Sequence, residues 1–391
     1  MKNAEIVIIG GGVVGASVAY HLAERGARDV LILERAPVQG TGSTGKATGG
    51  VRAQFETEIN IKMSLYSLAF FNDRAFDCGY DPRGYLFFGT DDRQLEYLRR
   101  NVETQKRLGV KDVRIVDARE IAEICPGLNV ADMTGGSFGA NDGFINPLAV
   151  MRGFTSQALE KGARLEFDCR ALSIETGGGK VTALLTDKGR IECEKLVVCT
   201  GAWARELADT AGIDLPVEPQ KRQIIWAKAE KALPANTPMV IDIGSGFHFR
   251  PARDFVDPTA NSDNTEVLFA YPDPHEKSSF DTDFDESFIE KVYARARVRA
   301  PFLHETVPVR EKCRAGLYEN TPDHHAILGG CAVEGLYFAN GFSGHGVMHS
   351  PATGRALAEI MLDGEATFLD VSCLSLNRFE KGELLHETAF I

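Results

Sequence analysis

The sequence has no surplus of basic residues. Lys and Arg total 43 against 55 Asp and Glu, a net charge of -12 over 391 residues. Nucleic acid and anionic membranes are held by a basic face, so neither is expected as the partner. Long apolar runs are missing as well, and none approaches the roughly 20 residues that span a bilayer. The 8 cysteines form no C-x-x-C pair and no regular framework. That pattern fits reduced thiols in a cytoplasmic enzyme rather than a disulfide scaffold. The opening MKNAEIVIIGGG enters a strand directly, so no signal or transit peptide is expected. Internal repeats and low-complexity tracts are also lacking.

What is present is the composition of an ordinary globular protein, 44% hydrophobic and 25% charged, at a length that suits two domains. Glu5-Ile-Val-Ile-Ile9 reads as a strand buried on both faces of a parallel sheet. Gly10 to Gly12 turn into a helical pattern over Val13 to Arg25, and Val30 to Glu34 is a second strand. Further helices are expected over Glu58 to Asp77, Asp92 to Leu108, Glu286 to Arg299 and Val347 to Leu362. Asp117 to Glu120 has the form of a capping box, and Asn146-Pro147 opens another helix. Strands are expected at Gly84 to Gly89, Ala163 to Phe167, Val181 to Thr186, Ile191 to Cys199 and Gly335 to Asn340. The stretch Asp254 to Asn264 is polar and turn-rich.

Gly10-Gly-Gly12-Val-Val14-Gly15 is G-x-G-x-x-G between a strand and a helix. The first glycine makes the turn, the second lets backbone N–H groups reach a pyrophosphate, and the third lets helix and sheet pack. Glu34 ends the second strand, where an acid hydrogen-bonds ribose hydroxyls and disfavours a 2′-phosphate. FAD and NAD both remain open on these residues. The small, hydroxyl-rich loop Gly42 to Gly50 suits a longer ligand, and CTGAW (Cys199 to Trp203) supplies a further approach. Near the C-terminus, GFSGHG places Gly341, Gly344 and Gly346 at the mouth of a helix whose N-terminus favours negative charge.

These segments together resemble the family of D-amino-acid oxidase, glycine oxidase and sarcosine oxidase, FAD enzymes that oxidise C–N bonds. The resemblance covers nearly the whole chain: GGGVVG with Glu34, STGKATGGVRAQF, GYLF, DGFINP, CTGAW, TPDHHAILG and GFSGHG. The pattern is most similar to the β subunits of heteromeric sarcosine oxidase and to archaeal L-proline dehydrogenase, which share an ending like Arg378-Phe-Glu-Lys-Gly-Glu-Leu384. It implies an α/β fold with a Rossmann-like FAD-binding domain and a discontinuous, strand-rich α+β insert that binds substrate. Residues 1–83, 146–215 and 323–391 would form the first, and 84–145 with 216–322 the second.

The resemblance also implies which residues meet the cofactor: Gly10, Gly12, Val14, Gly15, Glu34, Arg35, Ser43, Thr44, Lys46, Ala47, Gly50, Gly201, Trp203, Gly341, Gly344, His345, Gly346 and Val347. The GFSGHG turn and its helix would face the electron-rich edge of the flavin. An amino-acid carboxylate needs a fixed cation, for which Arg52 and then Arg250 are the candidates. His345 would polarise the flavin, touch substrate, or be held by backbone bonds alone. Tyr318 and Tyr271 are candidate pocket residues. His345 and His349 lie one helical turn apart, but no third ligand accompanies them, so no metal is expected.

Departures from the family pattern matter. The cysteine that attaches flavin in monomeric sarcosine oxidase is Gly316 here, and Cys313 is displaced, so FAD is expected to be non-covalent. That enzyme's carboxylate-binding lysine is replaced by Met348, and its oxygen-activating lysine falls at Leu268. The expected function is therefore oxidation of the C–N bond of a small amino or imino acid, of the sarcosine or proline type. Hydride would pass to flavin N5 and the imine would be hydrolysed, with O2 or a partner redox subunit as acceptor. The alternatives are a non-catalytic FAD-binding protein, since some mitochondrial relatives assist respiratory-complex assembly, and the flavin subunit of a heteromeric dehydrogenase.

Overall fold

The structure is a computed structural model that describes residues 2–73, 76–252 and 264–387. Its centre is a six-stranded sheet in the order Ile327–Gly330, Leu336–Asn340, Lys195–Val198, Ile6–Ile9, Val30–Leu33, Arg164–Glu166. Every neighbouring pair is parallel except the first, which is antiparallel. Alternation sorts the strand side chains into two cores. Ile6 and Ile8 pack with helical residues such as Val18, Leu22, Ala352 and Ala356. Val7 and Ile9 pack instead with Leu184 and Ile191 of a small second sheet.

That second sheet has four strands: Lys2–Asn3, Gly189–Glu192, Lys180–Thr186 and Ala171–Gly177. Its existence corrects one expectation. The run Ile191 to Cys199 is not a single strand but two, Gly189–Glu192 and Lys195–Val198, in different sheets. The chain changes layer at Cys193-Glu194, where the N–H groups of Glu194 and Lys195 both reach the Glu5 carbonyl. Buried apolar residues stand on both sides of this step, Ile191 before it and Leu196 to Val198 after it, so the apolar pattern does not mark it.

A nine-stranded sheet carries the intervening sequence, including Tyr85–Gly89, Gly135–Gly139, Glu218–Lys228, Met239–Asp242, His248–Pro251, Glu266–Ala270 and Arg314–Asn320. Helix Ser287–Arg299 buries Phe288, Val292 and Tyr293 against it. The expected helix Glu58 to Asp77 spans Glu58–Asp73; residues 74–75 lie outside the described residues. So does 253–263, which takes in nearly all of the polar stretch before Asn264. Local signals act where they were read. Asp117 and Glu120 close a capping box, and the Asn146 side chain accepts from the Leu148 and Ala149 N–H groups at 3.0 Å each. Helix Glu58–Asp73 is capped from far away. The Glu387 carboxylate accepts from the N–H groups of Glu56 (2.9 Å) and Thr57 (3.2 Å) and from Asn60 Nδ2 (3.2 Å).

Helices Val13–Glu24 and Gly346–Asp363 lie side by side, and the helix Glu58–Asp73 packs on the second. The first pair approaches closely because Gly354 has no side chain: a Cβ there would collide with Ser17 Oγ and stand 2.6 Å from His21 Nδ1. Ser17 Oγ donates across this contact to the Ser350 carbonyl at 2.7 Å. Both helices begin at the same cavity, so this contact fixes the distance between their N-termini. Gly354→Val is expected to lower stability by about 1–3 kcal/mol through overpacking. Thermal unfolding measures it, and an unchanged midpoint would show that the two helices are not held by this contact.

Candidate active site

The carboxyl ends of four parallel strands open into one elongated cavity of about 400 Å³. Strand Ile6–Ile9 delivers Gly10 and Gly12, Val30–Leu33 delivers Glu34 and Arg35, Lys195–Val198 delivers Cys199 to Gly201, and Leu336–Asn340 leads to Phe342 and Gly344 to Met348. This is the crevice beyond the strand ends where ligands bind in open α/β sheets. Thr41 to Gly50 form a further wall.

At one end the walls are built of backbone. Helix Val13–Glu24 starts at Gly12 and helix Gly346–Asp363 starts at His345; neither N-terminus is capped by the side chain of its own N-cap residue, and neither has an acid in its first turn. Unsatisfied N–H groups and helix dipoles make both ends receptive to negative charge. Thr44 Oγ1 accepts from the Val13 N–H at 3.1 Å, which pins the hydroxyl-rich loop over the first helix. Ser43 Oγ donates to the Leu317 carbonyl at 2.7 Å. Glu34 spans the turn, accepting from Gly11 N–H at 3.1 Å and Ala36 N–H at 2.9 Å. Arg35 lies over the Trp203 ring at 3.7 Å, and Trp203 stacks on Phe280.

At the other end Arg52 is buried, 4% exposed, with its guanidinium 4.0 Å from the Phe55 ring centroid and 5.3 Å from that of Phe87. Its Nη1 donates to the Gln54 carbonyl, and its Nη2 lies 3.4 Å from His345 Nε2. Guanidinium only donates, so Nε2 is the acceptor and the neutral ring carries its proton on Nδ1. Burial, followed by the charge of Arg52, holds His345 well below the usual imidazole range. His345 is thus neutral at physiological pH. His349, pushed to about 3 by burial and then Arg52, bonds Ser64 Oγ at 2.9 Å.

The loop that carries Arg52 is held by Asp142, from the DGFINP segment. Its carboxylate accepts from Ala53 N–H at 2.7 Å and Gln54 Nε2 at 2.9 Å, and Ser137 donates to Gln54 Oε1 at 2.7 Å. Burial pushes the Asp142 carboxyl up to about 6 despite these bonds.

Most of the expected site residues line this cavity: Gly10, Gly12, Val14, Glu34, Arg35, Ser43, Thr44, Lys46, Ala47, Gly50, Arg52, Gly201, Trp203, Tyr271, Tyr318, Gly344, His345, Gly346 and Val347. Gly15, Gly341 and Arg250 are set back from its wall. A Cβ on Gly15 would strike the Gly10 carbonyl, so this glycine packs the helix against the turn. Gly341 has φ +74°, and a Cβ would strike Thr321 Cγ2. Gly344 opens space for a neighbour: a Cβ would lie 2.5 Å from the Tyr318 ring. Arg250 points behind the wall, donating to the carbonyls of Pro251 (2.7 Å) and Thr48, with Phe144 4.7 Å from its guanidinium.

A family model described as FAD dependent oxidoreductase, DAO, matches residues 5–360. The chain belongs to the DAO family. It is 31% identical to "FAD-dependent oxidoreductase domain-containing protein 1" of Xenopus laevis over 99% of this chain and 84% of that protein. It is 27% identical to mitochondrial dimethylglycine dehydrogenase of Rattus norvegicus over 97% of this chain but only 45% of that one. Among solved structures, L-proline dehydrogenase from P. horikoshii superposes with a TM-score of 0.88 at 30% identity, over 98% of this chain and 100% of that one.

The residues present fit the family's FAD. Two helix N-termini whose own N-cap residues supply no side-chain cap, a strand-end acid and a glycine-lined loop are the set a dinucleotide needs. On the wall Arg35, Lys46, Arg52, Arg170 and Arg222 outnumber Glu34, Glu206 and Glu319, so the cavity is cationic within an acidic protein.

Sequence reasoning missed Asp142, Arg222, His248 and Glu319. A signal existed for Arg222: Lys221-Arg-Gln223 places three polar residues inside a strand whose next four residues are all buried. Glu319 had none, since the neighbours that matter come from the GFSGHG turn. Its carboxylate accepts from the Gly341 and Phe342 N–H groups, while Oε2 is buried without a partner among the described residues. Burial pushes this carboxyl up to about 7 from an ordinary 4.5. Because the folded state binds the proton more tightly, the contribution is fully present below pH 4.5 and is lost as pH rises through 7. Glu319→Gln is therefore expected to flatten the fall in melting temperature between pH 4.5 and 7. Parallel pH profiles for variant and parent would show that Glu319 titrates normally.

Proposed function

We propose that this protein oxidises the C–N bond of a small amino or imino acid of the secondary-amine type, such as an N-methyl amino acid or proline. The observation that carries the reading is Arg52: a guanidinium fixed in the cavity wall beside a neutral histidine, at the mouth of a helix N-terminus. The likeness to L-proline dehydrogenase, at 30% identity over both full chains, supports the same class of substrate. Dimethylglycine dehydrogenase, at lower identity, fits it as well.

Bound FAD would supply the two-electron acceptor at this site. Everything else is the work of the chain. Arg52 holds the substrate carboxylate, and its aromatic neighbours Phe55 and Phe87 fix the guanidinium plane and exclude water. Asp142 positions the loop. His345 accepts from Arg52 through Nε2, which keeps a cation from forming next to the guanidinium. The dipole of helix Gly346–Asp363 and its free N–H groups stabilise negative charge developing above it. Orientation and charge stabilisation, more than acid–base chemistry, are thus what the protein contributes.

Cofactor attachment is proposed to be non-covalent. Gly316 lines the cavity without a side chain, and Cys313 sits outside the lining with its Sγ 3.7 Å from the Trp226 carbonyl. The acceptor is proposed to be a partner redox subunit or another carrier rather than O2 as the efficient choice. Leu268, at the position of the oxygen-activating lysine, is 2% exposed in strand Glu266–Ala270 and away from the cavity. The proposed domain division, 1–83, 146–215 and 323–391 against 84–145 and 216–322, is supported by the separation of the six-stranded and nine-stranded sheets. Among the described residues no helix is long and apolar enough to cross a membrane.

Anaerobic addition of secondary amino acids to the flavin-loaded protein is expected to bleach its visible absorption. If a broad panel of amines leaves the band intact, the non-catalytic reading replaces this one. Arg52→Lys is expected to raise KM for carboxylate substrates on the order of tenfold to a hundredfold, the value of one charge-assisted contact. An unchanged KM would remove Arg52 from the site.

A further inference from the structure

The least explained side chain of the cavity wall is Arg222. It lies on strand Glu218–Lys228, paired in register with Gly316. Its Nη1 donates to the carbonyl of the adjacent Lys221 at 3.2 Å. Its Nε is buried and has no hydrogen-bond partner among the described residues. No carboxylate among the described residues reaches it within ion-pair distance; Glu276 and Asp273 act on it only from afar. The guanidinium stands 5.3 Å from the centroid of the Tyr318 ring, on the cavity side.

Arg52 belongs to the same chamber. Tyr318 and His248, both on the wall, stand in the electric field of Arg222 and of Arg52 at once. The acids on the cavity wall do not balance Arg222. Glu34 serves the turn at Gly11 and Ala36, Glu206 sits on the short helix after Trp203, and Glu319 is held near neutrality behind the glycine turn. A guanidinium facing a buried space loses hydration, which is costly unless an anion meets it; the Asp142 carboxylate stands in the field of Arg52, whereas no carboxylate among the described residues stands close to Arg222. Arginine's fork is suited to a carboxylate, and each such contact here would be shielded from water.

We propose that Arg222 is a second carboxylate-binding residue, and that the substrate of this site is an imino acid with two carboxylates, one held by Arg52 and the other by Arg222. This rests on the proposed role of Arg52 as the first anchor, and it narrows the substrate class. A substrate with a single carboxylate leaves Arg222 facing a solvent-poor wall without a counter-charge. A nitrogen flanked by two carboxymethyl-type arms places both anions and brings the C–N bond between them.

The test uses the flavin-loaded protein and two sulfides that cannot be oxidised as amines: bis(carboxymethyl) sulfide, with two carboxylates, and methylthioacetate, with one. Binding is read from the perturbation of the flavin absorption band, without turnover. The unaltered protein is expected to bind the dicarboxylate about tenfold or more tightly than the monocarboxylate, the ratio that one further contact supplies. Arg222→Gln is expected to bring that ratio to about one, Arg222→Lys to retain part of it, and Arg52→Lys to weaken both ligands. A ratio near one in the unaltered protein overturns the proposal whether or not the variants fold. So does an Arg222→Gln variant that weakens both ligands equally, or one that keeps the ratio and moves only the flavin potential, since Arg222 would then serve the cofactor. If Arg52→Lys affects neither ligand while Arg222→Gln still removes the preference, the first anchor fails and the assignment of Arg222 stands.

Discussion

The constraint on which this structure depends is the common ending of four parallel strands. Ile6–Ile9, Val30–Leu33, Lys195–Val198 and Leu336–Asn340 are held in register by their ladders, so the residues that follow them arrive at one level. Parallel strands cannot be joined by tight turns. Long crossovers are therefore compulsory, and the nine-stranded sheet with its helices is carried inside two of them. The site is made of segments more than 300 residues apart because the sheet is parallel. Asn340 ties two of these ends together: its side chain donates to the Val198 carbonyl and accepts from the Gly201 N–H.

Electrostatics then divides the cavity in two. At the nucleotide end the positive potential comes from backbone N–H groups and helix dipoles, which are fixed and need no partner side chains. At the other end it comes from guanidinium groups set among aromatic rings. The buried imidazoles between them are kept neutral, and the Glu319 carboxyl is half neutralised near pH 7. The result is a cationic chamber inside a protein whose surface is acidic. The cationic character of the chamber comes from its buried arginines, not from net charge.

The fold was legible in the sequence where one element decides its own form. The apolar strand, the three glycines and the acid of the first β-α-β unit carry their meaning within 30 residues, as do the caps at Asp117 and Asn146. The layer change at Cys193 was not legible, because Ile191 and Val197 are equally apolar and only pairing partners tell them apart. The site shows the same division. Arg52 and His345 follow from motifs whose neighbours are local. Arg250 and Arg222 both lie on strands, and the sequence does not say which face of the sheet meets the cavity. The glycines of the late turn differ in the same way: Gly344 lines the cavity beside the Tyr318 ring, and Gly341 is set back against Thr321.

The cap of helix Glu58–Asp73 has a consequence for how this molecule is made. The N–H groups of Glu56 and Thr57, which lead into it, are satisfied by Glu387, some 330 positions later. During synthesis on a ribosome Glu56 and Thr57 emerge some 330 residues ahead of this partner, whereas Ala53 and Gln54 wait only for Asp142. Only once Glu387 has been made can its carboxylate close this contact, next to the loop of Arg52. The entry to this helix is thus one of the last contacts the growing chain can make, and a change at Glu387 acts beside the loop of Arg52 without touching it.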